Sequence, residues 1–251
     1  GYIGLEVAAS LRGLGLEVTV LEALDRLLGR VAPPAVAAFA ARVHREEGVD
    51  VRTGAAVVAF EGEGRVTGVR LADGASLPAD IVVVGIGVIP ETGLAAAAGL
   101  EVGNGIVVDE HCRTSDPAIV AAGDCTEHPN PHVGRRVRLE SVPNANDQAK
   151  VAAATILGTP RGYPTAPWFW SEQYDLRLQI AGLAAGDEAV VLRGDPAVGR
   201  SFVAFSVADG RLVAATCVNR PKEFAGARKL LGREVAAAVL ADEGADLREL
   251  A

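Results

Sequence analysis

The sequence has no methionine, three cysteines and an aromatic content of only 4% over 251 residues. Cys112, Cys125 and Cys217 are too few and too widely spaced to form a disulfide scaffold, and they suit a chain working in a reducing cytoplasm. No dense block of lysine or arginine is present and the formal net charge is -8, which argues against nucleic acid or an anionic membrane as partner. Apolar runs such as residues 81–84 fall far short of the roughly 20 residues a bilayer span requires. The missing methionine, together with an opening at Gly1-Tyr2-Ile3-Gly4-Leu5-Glu6, predicts a chain that starts inside a turn, with the preceding buried strand lying further upstream.

A hydrophobic content of 49% and a charged content of 22% are those of a core-forming globular chain. Apolar residues at helical spacing predict a helix over 5–14, stopped at Gly15. Residues 16–21 read as a short buried strand ending at Glu22, and Pro33-Pro34 opens a helix over 34–47. Strands are expected at 49–52, 55–61, 65–71 and 76–77, with Asp73-Gly74 as a hairpin turn. An apolar strand over 80–84 ends in Gly85-Ile86-Gly87. The middle is irregular, with short strands at 106–108 and 119–121 and a helix over 144–157. Residues 158–167, rich in Gly, Pro and Thr, read as a linker. After it come strands at 176–183, 188–193, 201–206 and 212–218, with a tight turn at Asp209-Gly210, and then helices over 221–231 and 234–240.

Gly1-x-x-Gly4 leading into an apolar helix has the form of the last two glycines of a dinucleotide-binding turn, with Tyr2 and Ile3 between them. The first glycine lets backbone approach a pyrophosphate, and the second lets the helix pack close to the sheet. The helix amino end offers free N–H groups and a partial positive charge. Glu22 stands at the end of the next strand, about 20 residues on, where a carboxylate accepts both ribose hydroxyls and repels a 2′-phosphate. That chemistry favours NADH over NADPH. Two glycines and one glutamate also fit an ordinary strand–helix turn with a surface acid.

Three further segments carry a resemblance: Val84-Gly85-Ile86-Gly87-Val88-Ile89-Pro90; Thr114 with Ile119-Val120-Ala121-Ala122-Gly123-Asp124; and Leu139-Glu140-Ser141-Val142-Pro143-Asn144-Ala145 followed by Pro167-Trp168-Phe169-Trp170-Ser171-Glu172-Gln173. In order and spacing the chain resembles the ferredoxin reductase branch of the pyridine nucleotide-disulfide oxidoreductase superfamily, flavoproteins with two dinucleotide-binding folds. The resemblance implies an α/β architecture in three parts. An NAD-binding domain without its first strand occupies 1–87, the second segment of an FAD-binding domain 88–166, and an α+β carboxyl-terminal reductase domain with antiparallel strands 167–251. It implies FAD and NADH as cofactors, with Gly87, Gly123 and Asp124 on the cofactor side. Asp124 would bond the ribityl and phosphate region, and the Val142 N–H would meet the isoalloxazine edge. Trp170 would lie near the flavin and nicotinamide, while Glu6 and Glu140 would border the nicotinamide pocket. Taken singly, these residues equally fit a loop acid, a core valine, a core tryptophan, a helix-start acid and a solvated loop acid. The adenine-side FAD turn is not among these residues, so this chain alone is expected to hold FAD poorly.

The activity so implied is NADH:ferredoxin oxidoreduction, passing single electrons to a two-iron ferredoxin or rubredoxin-like protein that serves an oxygenase, in a monomer or homodimer. Arg177, Arg220, Lys222, Arg228 and Lys229 could offer an acidic partner a basic face, or be solvated helix charges. The alternatives are an NADH oxidase or disulfide reductase on the same scaffold, and a non-catalytic dinucleotide-binding module. A metal site at Cys125, His128 and His132 is rejected, because a fourth ligand is not apparent and Pro129-Asn130-Pro131 reads as an exposed loop. No Gly-x-Ser-x-Gly elbow supports a hydrolase.

Overall fold

The computed structural model describes residues 1–163, 165–186 and 188–250. Helix α1 (Tyr2–Gly13) buries Leu5, Ala8 and Ala9, one stripe at helical spacing. Strand β1 (Thr19–Glu22) follows, then α2 (Pro34–Glu46), which starts on proline and buries Val36, Ala37, Phe39, Ala40, Val43 and His44. Strand β2 (Asp50–Thr53) runs parallel to β1, with Thr19 opposite Asp50 and Glu22 opposite Thr53. Strands β3 (Val57–Glu61), β4 (Gly68–Leu71) and β5 (Ser76–Pro78) form an antiparallel sheet. The expected Asp73-Gly74 turn closes it: the Asp73 carboxylate accepts from the Ala75 N–H at 2.9 Å, and Gly74 takes φ +90°.

The strand expected over 80–84 does not form. An apolar run becomes a strand only when a neighbour supplies the ladder, and among the described residues β1 and β2 pair only with each other. Ile81, Val83 and Val84 are therefore left exposed. The segment nonetheless passes the start of α1, since a Cβ on Gly85 would stand 3.5 Å from the Gly4 Cα.

Helix α3 (Gly93–Ala97) leads to β6 (Ile106–Val107), β7 (Thr126–Asn130) and β8 (Arg135–Val137), where β6 is parallel and β8 antiparallel to β7. Strand β7 corrects the exposed loop expected around Pro129. Its inward residues are Thr126, His128 and Asn130, so its alternation is real but polar. Residues 119–121 contribute only a bridge from Val120 to Arg113. In α4 (Val142–Ile156), the Ser141 hydroxyl caps the amino end by accepting from Asn144 N–H at 3.3 Å.

The last third is an antiparallel sheet in the order β11-β12-β13-β10-β9, made of β9 (Trp168–Gln173), β10 (Leu176–Gly182), β11 (Ala189–Arg193), β12 (Phe202–Ala208) and β13 (Arg211–Val218). Helices α5 (Pro221–Leu230) and α6 (Ala237–Ala241) cover one face. Strand β9 is absent from the sequence-based expectation. Within the expected linker, Pro164 lies outside the described residues, and Tyr163 is buried with its ring 4.7 Å from His128.

One core joins the two ends of the chain. Leu5, Val36, Phe39, Val43 and Val51 pack with Leu176, Leu178, Ile180, Phe202 and Val218, and the Phe39 and Phe202 rings meet edge to face at 4.9 Å. Each such large side chain contributes about 1.5–3 kcal/mol on burial, so the shared core fixes α1 and α2 against the terminal sheet.

Tight approach within that sheet gives a stability prediction. Gly182 has φ +77°, and a Cβ there would sit 2.0 Å from the Val213 carbonyl oxygen. Gly182→Ala must shift the β10–β13 ladder and is expected to cost about 2 kcal/mol, lowering the melting temperature by about 5 °C in thermal unfolding. An unchanged melting temperature would contradict this packing.

Candidate functional site

Helix α1 begins at Gly1 without a side-chain cap, and its first internal bond is Leu5 N–H to the Gly1 carbonyl at 3.2 Å. Helix geometry leaves the preceding N–H groups without intrahelical acceptors. A Cβ on Gly1 or Gly4 would meet nothing within 4 Å, so bare backbone faces open space there. This shelf fits an anionic pyrophosphate. The side chains between the glycines do something else: Tyr2 packs edge to face on Phe169 at 5.2 Å, and Ile3 points outward, 70% exposed.

The connection from α1 to β1 is short, so the two pack antiparallel. The helix is about 18 Å long and the strand about 13 Å, which brings the α1 amino end to the edge where β1 ends in Glu22. One Glu22 oxygen accepts from the Leu24 N–H at 3.0 Å, which orients the carboxylate. Gly85 abuts Gly4 as described, and Gly87, with φ +108°, leaves open space at its α-carbon.

Strand β9 is the junction. Its side chains alternate, with Trp168, Trp170 and Glu172 on one face and Phe169, Ser171 and Gln173 on the other. Both α1 and α4 pack against it. Trp170 is 39% exposed, 5.8 Å from the Trp168 ring. On the other face, the Ser171 hydroxyl donates to Glu6 Oε1 at 2.6 Å, and the Glu172 N–H reaches the same oxygen at 3.3 Å. Gln173 Nε2 donates to Ser171 Oγ at 3.0 Å. His44 Nε2 lies 3.0 Å from Gln173 Oε1, and the Tyr174 hydroxyl lies 2.9 Å from His44 Nδ1. Burial pushes the His44 imidazole below its usual pKa and the Tyr174 phenol up to about 12, so both are neutral near pH 7.

Near α4, the Asp124 side chain is exposed, and its backbone carbonyl accepts from Arg138 Nη1 at 3.4 Å. The same guanidinium pairs with Glu140 at 2.5 Å, so Glu140 is charge-compensated rather than free. Val142 is 59% exposed at the start of α4, where its N–H has no intrahelical acceptor. Gly123, with φ +90°, is tied to α4 because Gln148 Oε1 accepts from its N–H at 2.6 Å and from Thr126 Oγ at 2.8 Å. Gln148 Nε2 in turn lies 3.0 Å from His128 Nδ1. Burial pushes the His128 pKa down to about 4, which keeps the ring neutral. Arg138 thus bridges the Asp124 carbonyl and the Glu140 carboxylate while Val142 opens α4, and at β9 Glu6 bonds Ser171 and the Glu172 N–H while Trp170 projects from the face opposite Ser171.

The basic group expected in the terminal third is not uniform. Arg220 is paired with Glu223 at 3.1 Å and Glu243 at 3.0 Å, and the Arg228 guanidinium stacks over Trp168 at 4.8 Å. Lys222 and Lys229 are exposed. Ser171 and Gln173 enter the sequence reading only as part of the Pro167–Gln173 segment, with no role, and His44, Tyr174 and Gln148 do not enter it. Only His44 carried a usable signal there, falling on the Val36, Ala40, Val43 stripe of α2.

Residues 1–149 match the family pyridine nucleotide-disulphide oxidoreductase, and residues 168–251 match the family reductase C-terminal. The chain is 53% identical to the 5,5'-dehydrodivanillate O-demethylase ferredoxin reductase subunit of Sphingobium sp. over 255 aligned residues, covering 100% of this chain and 62% of that protein. It is 45% identical to putidaredoxin reductase of Pseudomonas putida, covering 100% of this chain and 60% of that protein. Among solved structures, a covalent putidaredoxin reductase–putidaredoxin complex superposes with a TM-score of 0.95 at 45% identity, over 100% of this chain and 61% of that one. The chain therefore spans about three fifths of the length of these relatives. By its matched residues and its fold, with the antiparallel terminal sheet following the α/β segments, this chain belongs to the pyridine nucleotide-disulphide oxidoreductase family.

Proposed function

We propose that this chain forms the coenzyme-facing and acceptor-facing part of an FAD-dependent NADH:ferredoxin oxidoreductase working in the cytoplasm. One observation carries the reading: β9 holds Trp170 and, through Ser171, Glu6 of α1, while α4 packs against the same strand. A dinucleotide helix and a flavin-side helix thus converge on one rigid element. Bound FAD would supply the redox chemistry, taking two electrons from reduced nicotinamide and releasing them one at a time. The chain's own residues bind and orient. The N–H groups at the Gly1–Gly4 turn take the pyrophosphate, Glu22 the ribose hydroxyls, and the free oxygen of Glu6 a carboxamide N–H. Trp170 covers the stacked rings and excludes water. The Asp124 carboxylate and the Val142 N–H serve the flavin side, with Gly87 and Gly123 admitting backbone close to the cofactor. Glu140, neutralised by Arg138, lies beside that region. The electron acceptor is a two-iron ferredoxin or rubredoxin-like protein; the relatives that support this are a ferredoxin reductase subunit, a rubredoxin-NAD(+) reductase and a putidaredoxin reductase in complex with putidaredoxin.

The test is NADH-dependent cytochrome c reduction by the flavin-loaded holoenzyme with and without a two-iron ferredoxin. Ferredoxin is expected to raise the rate at least tenfold. Equal rates with and without it, accompanied by peroxide formation or disulfide reduction, would favour an oxidase or disulfide reductase instead.

A further inference from the structure

The buried polar groups behind Glu6 form a chain whose direction is fixed at every link. Glu6 offers only acceptors when ionised, so the Ser171 hydroxyl must donate to it. Ser171 Oγ is then free to accept from Gln173 Nε2. That contact assigns the Gln173 amide, leaving its Oε1 as an acceptor, so His44 must carry its proton on Nε2. Nδ1 is the remaining lone pair of the neutral ring, and the Tyr174 hydroxyl donates to it. All four bonds point toward the Glu6 carboxylate. They cross three elements, α1, α2 and β9, and Ser171, Gln173 and His44 are almost completely buried. Aligned hydrogen bonds polarise one another, and in a dry interior such a chain holds one geometry.

We propose that Tyr174, His44, Gln173 and Ser171 are positioning residues for Glu6: acting through the Ser171 hydroxyl, which with the Glu172 N–H occupies Oε1, they leave Oε2 as a directed acceptor for the carboxamide of a nicotinamide coenzyme. The proposal rests on reading the Gly1–Gly4 turn as a coenzyme site. Ser171 and Trp170 are consecutive in β9 and leave it on opposite faces, and Glu6 also accepts from the Glu172 backbone N–H, so the strand's backbone fixes the positions of both the carboxylate and the indole. The effect should therefore be confined to the nicotinamide end of the coenzyme.

The test uses the flavin-loaded holoenzyme with ferricyanide as acceptor. In Ser171→Ala the KM for NADH should rise about tenfold, the loss expected for a misdirected charge-assisted hydrogen bond, while kcat changes less than about twofold. ADP-ribose, which lacks nicotinamide, should inhibit the variant and the parent equally. Gln173→Met, which keeps volume but removes the donor to Ser171, should move the same parameter in the same direction by about threefold, and it decides the matter if Ser171→Ala does not fold. An unchanged KM for NADH, or a parallel rise in KM and in the ADP-ribose inhibition constant, would overturn the proposal, the second because it reports general loosening. Failure of ADP-ribose to inhibit the parent at all would instead remove the coenzyme-site reading beneath it.

Discussion

The holoenzyme is expected to use NADH about 100-fold more efficiently than NADPH, and Glu22→Arg is expected to bring the two coenzymes to within about fivefold of each other. A hundredfold preference corresponds to about 2.7 kcal/mol. Its source is local. Glu22 ends β1 with one oxygen held by the Leu24 N–H at 3.0 Å, so the carboxylate is oriented before any ligand arrives. The other oxygen can accept from ribose hydroxyls, whereas a 2′-phosphate would place a second anion beside it in a half-exposed site. Arginine at the same position loses the acceptor and gains a planar donor suited to phosphate. Ratios of kcat/KM for the two coenzymes in parent and variant decide the point. A parent that uses both equally would show that Glu22 does not face the ribose. The basic neighbours that could blunt the effect, Arg26 and Arg52, are otherwise engaged: Arg26 bonds the Gly29 carbonyl at 3.0 Å, and Arg52 the Asp50 carboxylate at 2.8 Å.

What was legible in the sequence follows from where apolar periodicity coincides with burial. Helix α2 is read almost to the residue because Val36, Phe39, Ala40 and Val43 form a stripe and Pro34 starts it. The β10, β12 and β13 strands are equally plain, being largely buried apolar runs. Three strands, β7, β8 and β9, are absent from the sequence reading, and two of them share a reason. In β7 the inward positions are Thr126, His128 and Asn130, and in β9 they include Ser171 and Gln173, so polar residues occupy the buried face and the pattern looks like a loop. The strand expected over 80–84 errs in the opposite direction: its pattern is right and its ladder partner is lacking. The same asymmetry governs the site. Glu6, Glu22 and Trp170 stand at motif positions and can be singled out from sequence. The Ser171–Gln173 pair and His44, which buttress Glu6, reach it only through long-range contacts, 165 residues from Ser171 to Glu6 and 129 from Gln173 to His44, and Gln148 meets Gly123 across 25 residues.

Arg193 is the remaining buried polar group with a large consequence, and its removal should be the most destabilising single change outside the shared core. The residue ends β11 with only 1% of its surface exposed, and its guanidinium donates to three backbone carbonyls: Leu240 at 2.8 Å, Val239 at 2.8 Å and Ala245 at 3.0 Å. These close the short α6 and the turn after it, whose residues Leu240 and Leu247 complete the second core with Phe205 and Phe224. The Phe205 ring lies under the guanidinium at 5.8 Å. Arg193→Leu keeps the apolar stem but orphans all three acceptors at once. At about 1–3 kcal/mol per unsatisfied buried carbonyl, partly relieved as the segment frays into water, the net cost is about 4 kcal/mol. Arg193→Lys restores at most part of this, because an ammonium cannot reproduce a planar fork aimed at three oxygens, and should cost about 2 kcal/mol. Thermal unfolding should fall by about 10 °C for the leucine variant and about half that for lysine. Amide exchange at Leu240 and Leu247 should accelerate before that in β12 and β13, because the loss begins at α6. Uniform acceleration across the terminal sheet would mean that Arg193 supports the whole domain rather than its last turn.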